Sequence, residues 1–357
     1  MATRPVHFLV TRLFVCVVLA CRILALPCLA QPARSSPVKV RIVTDEAEAV
    51  LTVLAKKRAG QVITDDDWQR VFSSDGYTRL KKRELAMRRS FEDQDFRTFV
   101  LSDQLSTQAQ TLAETLERWR RANATRAARL ALAYLPKDAH IHATIYPVIK
   151  PRHNSFVFDL DTDPAIFLYL DPTVNQAKFE NTLAHELHHI GYGTVCPARE
   201  TEEEFRRLPK NVQTVLTYTG AFGEGFAMLA AAGGPDVHPH AVSGQKDRAR
   251  WDRDMANFDS DLRRVEKFFL DVLANRISDD QIGEKVAPFY GEQGAWYTVG
   301  WKMAVLIEKT FGRRALINTM CDPRKLFVTY NRAAVAHNRK SREKLTLWAP
   351  ALIKAVL

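Results

Sequence analysis

The sequence predicts an α+β protein that is mostly helical, with a small mixed or antiparallel sheet near the middle of the chain. Residues 40–135 are rich in helix formers, and their apolar side chains recur three and four positions apart. Residues 140–171 instead hold β-branched and aromatic residues between Pro, Asn and Asp. Helical spacing then returns and continues to about residue 312, so the chain runs from helices through a sheet to helices.

The first helices are expected after a loose linker at 31–38. The segment 44–60 opens with Asp and Glu and ends with Lys, Arg and Gly, which are the usual signals for the start and the end of a helix. The segment 64–80 predicts a second, short helix with a turn. The helix formers at 88–134 predict further helices before the sheet.

The sheet is expected to be followed directly by the longest helix of the middle region. Two or three strands with tight connections are predicted from the segments 140–150, 155–160 and 165–171. Asp171 supplies a helix cap and Pro172 a first-turn proline for a helix of about 18 residues. Gly191 and Gly193 are expected to end this helix. Later helices are predicted at 212–234, 253–275 and 296–312.

Composition and charge indicate a globular chain. Of the 357 residues, 46% are hydrophobic and 26% are charged, which argues against disorder. The net charge is +10, but the basic residues are spread over several predicted helix faces. No aromatic-basic binding motif accompanies the two densest basic segments, 79–89 and 118–129, so we expect no nucleic-acid partner.

Residues 1–30 have the layout of a secretory signal peptide. Arg12 precedes a nine-residue apolar run at 13–21, the segment contains no acidic residue, and small Ala30 comes just before Gln31. The apolar run is shorter than the roughly 18 to 20 residues that a transmembrane helix needs. We therefore expect an exported protein, periplasmic or secreted. An uncleaved N-terminal segment that anchors the chain to the envelope is the alternative.

The cysteines divide in the same way. Cys16, Cys21 and Cys28 fall within the predicted signal peptide, and Cys196 and Cys321 lie beyond it. An even pair in an exported protein permits one disulfide. Two separate buried thiols are the alternative, and the sequence does not decide between them.

The helix after the sheet carries the segment HELHH at 185–189. His185 and His189 lie one turn apart on one face of a helix, so both imidazoles can reach a single ion. Neutral imidazole is a common ligand of Zn²⁺, and Glu186 lies beside the ligand face, where it can act as a general base. We predict one zinc ion per chain at this H-E-x-x-H motif. His188 is expected to support the site or to lie on the surface, and a polar helix face without metal is the alternative.

A catalytic zinc needs a third protein ligand, and Glu224 is the first candidate. It lies 35 residues after His189, between Gly223 and Gly225, on a predicted helix dense in small residues. Small neighbours let this helix approach the metal helix closely. A carboxylate buried in such a segment needs a partner, since an isolated buried charge is costly. An ion pair with an arginine elsewhere is the alternative to a metal.

His238 and His240 are the other candidates for the third ligand. Metzincins place a third histidine six residues after the second ligand, and that position here is Val195. The metzincin pattern therefore does not apply. We expect His238 and His240 to be loop residues near the mouth of the cleft, or surface residues.

The pair of motifs HELHH and EGFA (224–227) resembles the gluzincin group of zinc metallopeptidases. It is similar to uncharacterised bacterial families described only as zinc-dependent peptidases. The resemblance also includes Trp68, Gly76 and Tyr77 and the segment 297–308. It implies a zincin-like fold in which His185, His189 and Glu224 are the metal ligands and Glu186 is the base.

The resemblance has one departure and implies one further catalytic residue. Many gluzincins carry an Asp four residues after the ligand Glu, where it orients a zinc histidine, but that position here is Met228. Asn181 or Asp159 would then have to take its place. Related enzymes often stabilise the oxyanion with a Tyr or His from a later helix. Tyr297 is the first candidate and Tyr290 the second, with a tyrosine in a helix interface as the alternative for each.

These observations predict an exported zinc-dependent protease that hydrolyses peptide or protein substrates. Its substrate would lie antiparallel to an edge strand, expected at 165–171. The chain would comprise a signal peptide (1–30), a helical N-terminal region (31–135) and a zincin-like metallopeptidase domain (136–357). Three alternatives stay open: a non-catalytic zinc-binding or interaction protein of the envelope, a zinc hydrolase of other amides or esters, and a basic nucleic-acid- or envelope-binding protein with a chance motif.

Overall fold

A mixed four-stranded sheet and seventeen α-helices make up the part of the chain that the computed structural model describes. The described residues are 36–160, 162–196, 200–291 and 294–357, without the side chains of 200–202 and 323. The predicted signal peptide, with Cys16, Cys21 and Cys28, lies outside the described residues. The predicted α+β class, mostly helical with a small sheet, is confirmed.

The sheet has the strand order β1-β2-β4-β3. β1 (Val38–Ile42) and β2 (Ile141–Val148) pair in parallel, and so do β2 and β4 (Ala165–Tyr169). β3 (Phe156–Phe158) pairs antiparallel with β4. The sequence predicted a mixed or an antiparallel sheet, and the observed sheet is mixed.

Two predictions about the sheet are wrong. The segment before residue 44 contains β1, where a linker and the start of a helical region were expected; its sequence, VKVRI, has alternating exposure and finds its partner only at β2. The expected edge strand at 165–171 is also wrong, because β4 lies between β2 and β3. β1 and β3 form the edges.

Six helices separate β1 from β2, as the helical spacing predicts. They are α1 (Asp45–Arg58), α2 (Asp65–Ser73), α3 (Asp75–Ala86), α4 (Asp93–Val100), α5 (Asp103–Arg120) and α6 (Ala124–Leu132). Side-chain caps fix several of their starts: Ser74, Ser102 and Asn123 each accept a hydrogen bond from a backbone N–H in the first turn. The last of these helices, α6, packs against both β1 and the helix that carries HELHH.

The helix that carries HELHH, α7, spans Gln176–Gly193. Its cap is Asn175, whose side chain accepts a hydrogen bond from the backbone of the first turn, so the prediction of Asp171 as the cap is wrong. Asp171 stabilises the turn before the helix instead. Gly191 does not end the helix. A Cβ there would lie 2.4 Å from a Leu135 methyl carbon, so this glycine lets α7 pack closely on the segment after α6.

Ten helices follow α7 in the described part of the chain, and α10 packs closely against α7. The ten helices are α8 (Glu200–Arg207), α9 (Lys210–Thr219), α10 (Gly223–Ala232), α11 (Gln245–Ala256), α12 (Phe258–Leu273), α13 (Asp279–Tyr290), α14 (Ala295–Phe311), α15 (Arg313–Met320), α16 (Pro323–Lys340) and α17 (Pro350–Val356). The sequence predicted single helices at 212–234 and 253–275, but the structure has two helices in each region. A 3₁₀ turn separates α9 from α10, and Asn257 separates α11 from α12.

One apolar core contains buried residues from both sides of residue 135. Its C-terminal part is an aromatic cluster formed by Phe222, Phe269, Trp296, Phe327 and Trp348. Pro37–Leu357 forms one compact unit. The predicted boundary at residue 135 stays a prediction. Within the described ranges, no helix has both the length and the apolar character that a membrane crossing requires.

Candidate metal centre

Three predicted ligands come together where α7 and α10 cross. The Nε2 atom of His185 lies 3.1 Å from the Nε2 atom of His189 and 3.1 Å from Oε2 of Glu224. The Nε2 atom of His189 lies 3.3 Å from the same carboxylate oxygen. Among the described residues, this is the one group of three or more His, Cys, Asp and Glu side chains placed so that it can hold a metal ion.

The spacing of these donor atoms suits zinc. Bonds of about 2.0–2.1 Å in a tetrahedral site put neighbouring donors roughly 3.3–3.4 Å apart. The observed distances of 3.1, 3.1 and 3.3 Å are close to the edges of such a tetrahedron. Two imidazoles and a carboxylate are also ligand types that zinc prefers, and three ligands leave one position open. The residues present therefore fit a catalytic zinc ion.

The electrostatics of the cluster couple the carboxylate of Glu224 to the two histidines. Burial by itself raises the pKa of Glu224, but hydrogen bonds with His185 and His189 outweigh it and hold this pKa well below its usual range. Burial lowers the pKa of His189, and the interaction with Glu224 more than reverses that effect. The carboxylate is thus ionised in a site where only 22% of its side chain is exposed. A charge in such a place needs a positive partner.

Glycines position the carboxylate ligand. Glu224 lies in the first turn of α10, where the helix dipole favours a negative charge. A Cβ on Gly225 would lie 2.0 Å from the backbone nitrogen of Trp301, and a Cβ on Gly300 would lie 2.5 Å from the Phe222 carbonyl oxygen. The small residues therefore bring α10 into backbone contact with α14. The predicted close approach of α10 to α7 is observed as well, but Gly225 itself serves the contact with α14.

The predicted base and the predicted oxyanion donor lie beside the ligands. Glu186 is partly buried on α7, and its charge raises the pKa of both His189 and Tyr297. The ring of Tyr297, on α14, lies 6.2 Å from the ring of His185 with an interplanar angle of 15°. Burial and then the nearby Glu224 raise the pKa of Tyr297, so its hydroxyl stays protonated and can donate a hydrogen bond.

The comparisons with known proteins agree with this geometry. A family model described as "Putative zinc dependent peptidase (DUF5700)" matches residues 64–339. The chain belongs to this family. The resemblance to zinc-dependent peptidases is thereby confirmed, and the DUF5700 description implies the zinc that the ligand set fits. No curated protein and no solved structure matches the chain.

Two further predicted residues have different surroundings at this DUF5700 site. Tyr290 ends α13 and is 40% exposed, and its pKa is raised by burial and by the charge of Glu224. His188 is 1% exposed and lies beside the backbone of Tyr134, so it is not a surface residue. Burial lowers the pKa of His188 to about 3 and keeps its ring neutral. Its place is in the packing behind the ligand face.

The two histidines of DVHPH lie apart from the DUF5700 ligand cluster. His238 pairs with Asp252 at 3.1 Å, and His240 contacts the hydroxyl of Ser243 at 3.0 Å. His240 lies in a turn, as the loop prediction expects, but it is only 2% exposed and packs against Trp251, so the surface alternative is wrong for it. Neither belongs to the group of side chains that can hold the ion.

Neither of the two residues expected to orient a ligand histidine does so. Asn181 donates to the Ala231 carbonyl oxygen and thus links α7 to α10, and Asp159 pairs with Arg79 and Lys82. Both side chains are therefore engaged elsewhere. The Nδ1 atom of His185 is buried and has no hydrogen-bond partner in the described part of the chain. Met228 stands where many gluzincins carry the orienting Asp, and Nδ1 of the ligand His185 correspondingly has no partner among the described residues.

Two features near the DUF5700 site escape motif-based reasoning. Cys196 and Cys321 form a disulfide, with Cα atoms 5.0 Å apart, that links the segment after α7 to the junction of α15 and α16. The sequence left this pairing open. Tyr192 follows His185 by seven residues and so lies on the same face of α7. The sequence shows this seven-residue spacing, but the spacing points to a role for Tyr192 only when the cavity that it lines is known.

Proposed function

We propose that this protein is an exported zinc-dependent peptidase that cleaves peptide bonds at the centre formed by His185, His189 and Glu224. The observation that carries the proposal is the triangle of donor atoms, with distances of 3.1, 3.1 and 3.3 Å, two of which belong to the helix that also carries Glu186. Two helices meet to build it, and the DUF5700 description supports it. One ion per chain follows from the single group of ligands among the described residues.

The chemistry divides among the side chains. When bound, a zinc ion lowers the pKa of a coordinated water toward neutrality and polarises a carbonyl group. Glu186 takes a proton from the attacking water and passes it to the departing amine, because its carboxylate lies beside the ligand face without being a ligand. Tyr297, protonated and next to Glu224, donates a hydrogen bond to the oxygen on which negative charge develops.

Export is supported by the disulfide as well as by the N-terminal sequence. Disulfides such as Cys196–Cys321 persist in oxidising compartments and are rare in reducing ones. A periplasmic or secreted location therefore accords with this pairing. An uncleaved N-terminal anchor would give the same redox environment. Mass determination of the mature N-terminus distinguishes the two: cleavage near Gln31 is expected for a signal peptide, and an intact N-terminus contradicts it.

The test of function separates the ligand from the base. Glu186→Gln is expected to keep one zinc ion per chain and to lose about 10²–10⁴-fold in peptide cleavage, since only proton transfer is removed. Glu224→Ala is expected to lose the zinc itself. Glu180→Gln, a carboxylate of α7 that pairs with Arg126, is the matched control and should keep both properties. Metal analysis measures the zinc content of each variant, and the rate of casein cleavage measures its peptidase activity.

The outcomes separate the competing functions. Wild-type protein that holds zinc and cleaves small acyl esters but no peptide would be a zinc hydrolase of another class. Zinc binding without any hydrolysis, unchanged in Glu186→Gln, would indicate a non-catalytic zinc protein. If wild-type protein holds no zinc after reconstitution, the metal centre itself is refuted.

A further inference from the structure

A large cavity of about 980 Å³ lies at the far end of the metal-binding helix. The end of α7, the helices α8 and α9, and the junction of α15 and α16 form its walls. Its surface is mainly apolar, and charged side chains of α8 and α16 are also part of the lining. The residues that matter here are Tyr192, Phe205, Leu208, Leu216, Thr217 and Gly220.

Both ligand-bearing helices lead from the metal centre to this cavity. Tyr192 follows His185 by seven residues, so it lies two turns further along the same face of α7. Thr217 precedes Glu224 by seven residues, and the backbone stays helical between them, since Gly220 has φ −59° and ψ −25°. Two turns correspond to about 10 Å. The faces that carry the ligands therefore meet again at the cavity.

A second, smaller cavity lies beside the large one. It shares Tyr192 and Gly220 with the large cavity. It is also lined by Gly223 and Phe226, which lie on either side of Glu224 in the sequence. Glu224 is not among the described lining residues of either cavity; Tyr192, on the ligand-bearing face of α7, is the residue that lies between the ligands and the large cavity.

We propose that the large cavity is a specificity site that binds a bulky apolar side chain of the peptide substrate, about three residues from the bond that is cleaved. The inference rests on the proposed peptidase function and names the substrate class for it. An extended peptide advances about 3.3–3.6 Å per residue, so roughly 10 Å corresponds to three residues. The side chain enters the cavity beside Tyr192, about two turns of α7 from the ligands, which fixes the register of the substrate.

The lining selects aromatic side chains. Tyr192 and Phe205 offer ring faces and edges, and Leu208 and Leu216 offer aliphatic surface. Burying a phenylalanine side chain rather than an alanine in such a site is expected to tighten binding on the order of 10- to 100-fold. A small side chain would leave most of the volume unfilled and gain little.

Gly220 makes a direct test possible. A Cβ at Gly220 would have no heavy atom within 4 Å, and the residue lines both cavities, so Gly220→Trp places an indole in the cavity without displacing backbone. Gly193 is the matched control. A Cβ at Gly193 would likewise have no heavy atom within 4 Å, and this residue ends α7 without being part of the cavity lining. Gly193→Trp therefore adds the same bulk outside the cavity.

The measurement is peptide binding by the zinc-loaded full chain carrying Glu186→Gln, so that cleavage does not interfere. Two labelled octapeptides, identical except for Phe or Ala three residues from the central bond on both sides, are compared by fluorescence anisotropy. We expect the Phe peptide to bind about 10- to 100-fold more tightly. Gly220→Trp is expected to abolish that preference and Gly193→Trp to retain it.

Two results overturn the inference. The first is equal affinity of the Phe and Ala peptides for the Glu186→Gln protein without a Trp substitution, a result that does not depend on the folding of any cavity variant. The second is an equal effect of Gly220→Trp and Gly193→Trp on the preference for the Phe peptide. Failure of the peptidase function is a separate observation, because it is measured as absent cleavage by the wild-type enzyme, whereas the Phe preference is a binding difference that persists without cleavage.

Discussion

Gly225 offers the sharpest test of how the metal centre is built. In Gly225→Ala the new Cβ would lie 2.0 Å from the Trp301 nitrogen and 2.4 Å from the Gly300 carbonyl carbon. Real Cβ contacts are rarely closer than about 3.0 Å, so α10 must move by roughly 1 Å relative to α14. Metal bonds tolerate deviations of only about 0.2 Å. The carboxylate of Glu224 therefore leaves its position opposite the histidines.

The expected magnitude follows from this displacement. Overpacking of a tight contact costs about 1–3 kcal/mol of unfolding free energy. Zinc affinity should fall by about 10–100-fold or more, a loss comparable to that caused by removing a residue that orients a ligand. Gly223→Ala is the control on the other side of Glu224, since its Cβ would meet no atom within 4 Å. It should bind zinc normally, with equal or slightly higher stability.

The assay is a zinc titration against a competing chelator, together with thermal unfolding of both variants in the metal-free state. The reasoning requires the two alanine variants to differ strongly. If Gly225→Ala binds zinc as tightly as Gly223→Ala, then the contact between α10 and α14 does not set the position of the ligand.

Three further predictions concern stability and catalysis. Reduction of the Cys196–Cys321 disulfide, which spans 125 residues, should cost about 5 kcal/mol of unfolding free energy, and an unchanged melting temperature in reductant would contradict it. Burial raises the pKa of Glu46 to about 8 from 4.5, so the unfolded chain ionises first and stability should fall as pH rises from about 4.5 to 8. Glu46→Gln should flatten that part of the stability profile; an equal fall in the variant would assign it to other groups. Tyr297→Phe should keep zinc but lower kcat about 10²–10³-fold, more than Tyr290→Phe does, and equal effects of the two would remove Tyr297 from its role.

The sequence specifies the ligand cluster well because its signals are local. His185 and His189 are placed by the helical repeat alone, and Glu224 is marked by its setting between two glycines. No long-range information is needed to place each residue on its helix. The spacing does not show that the two helices meet at the ligands. The resemblance to gluzincins predicted this meeting, and the distances between the donor atoms agree with it.

The parts that escaped prediction depend on distant partners. β1 becomes a strand because it pairs with β2, about a hundred residues later in the chain, and nothing in VKVRI identifies that partner. β4 loses its place at the edge of the sheet because the three residues of β3 fold back on it. Gly225 likewise shows its purpose only against Trp301, on a helix that begins about seventy residues later. Local spacing cannot report such contacts.

The paired glycines of α10 and α14 also determine which parts of the site can move. Gly225 meets the backbone of α14, and Gly300 meets the backbone just before α10, so the two helices are locked at two points. Glu224 on α10 and Tyr297 on α14 consequently belong to one rigid pair of helices. The two ligand histidines lie on α7, on the other side of the cleft. Any widening of the cleft between α7 and α10 would therefore separate the ligands from one another, so substrate entry and metal binding place opposing demands on the contact between these two helices.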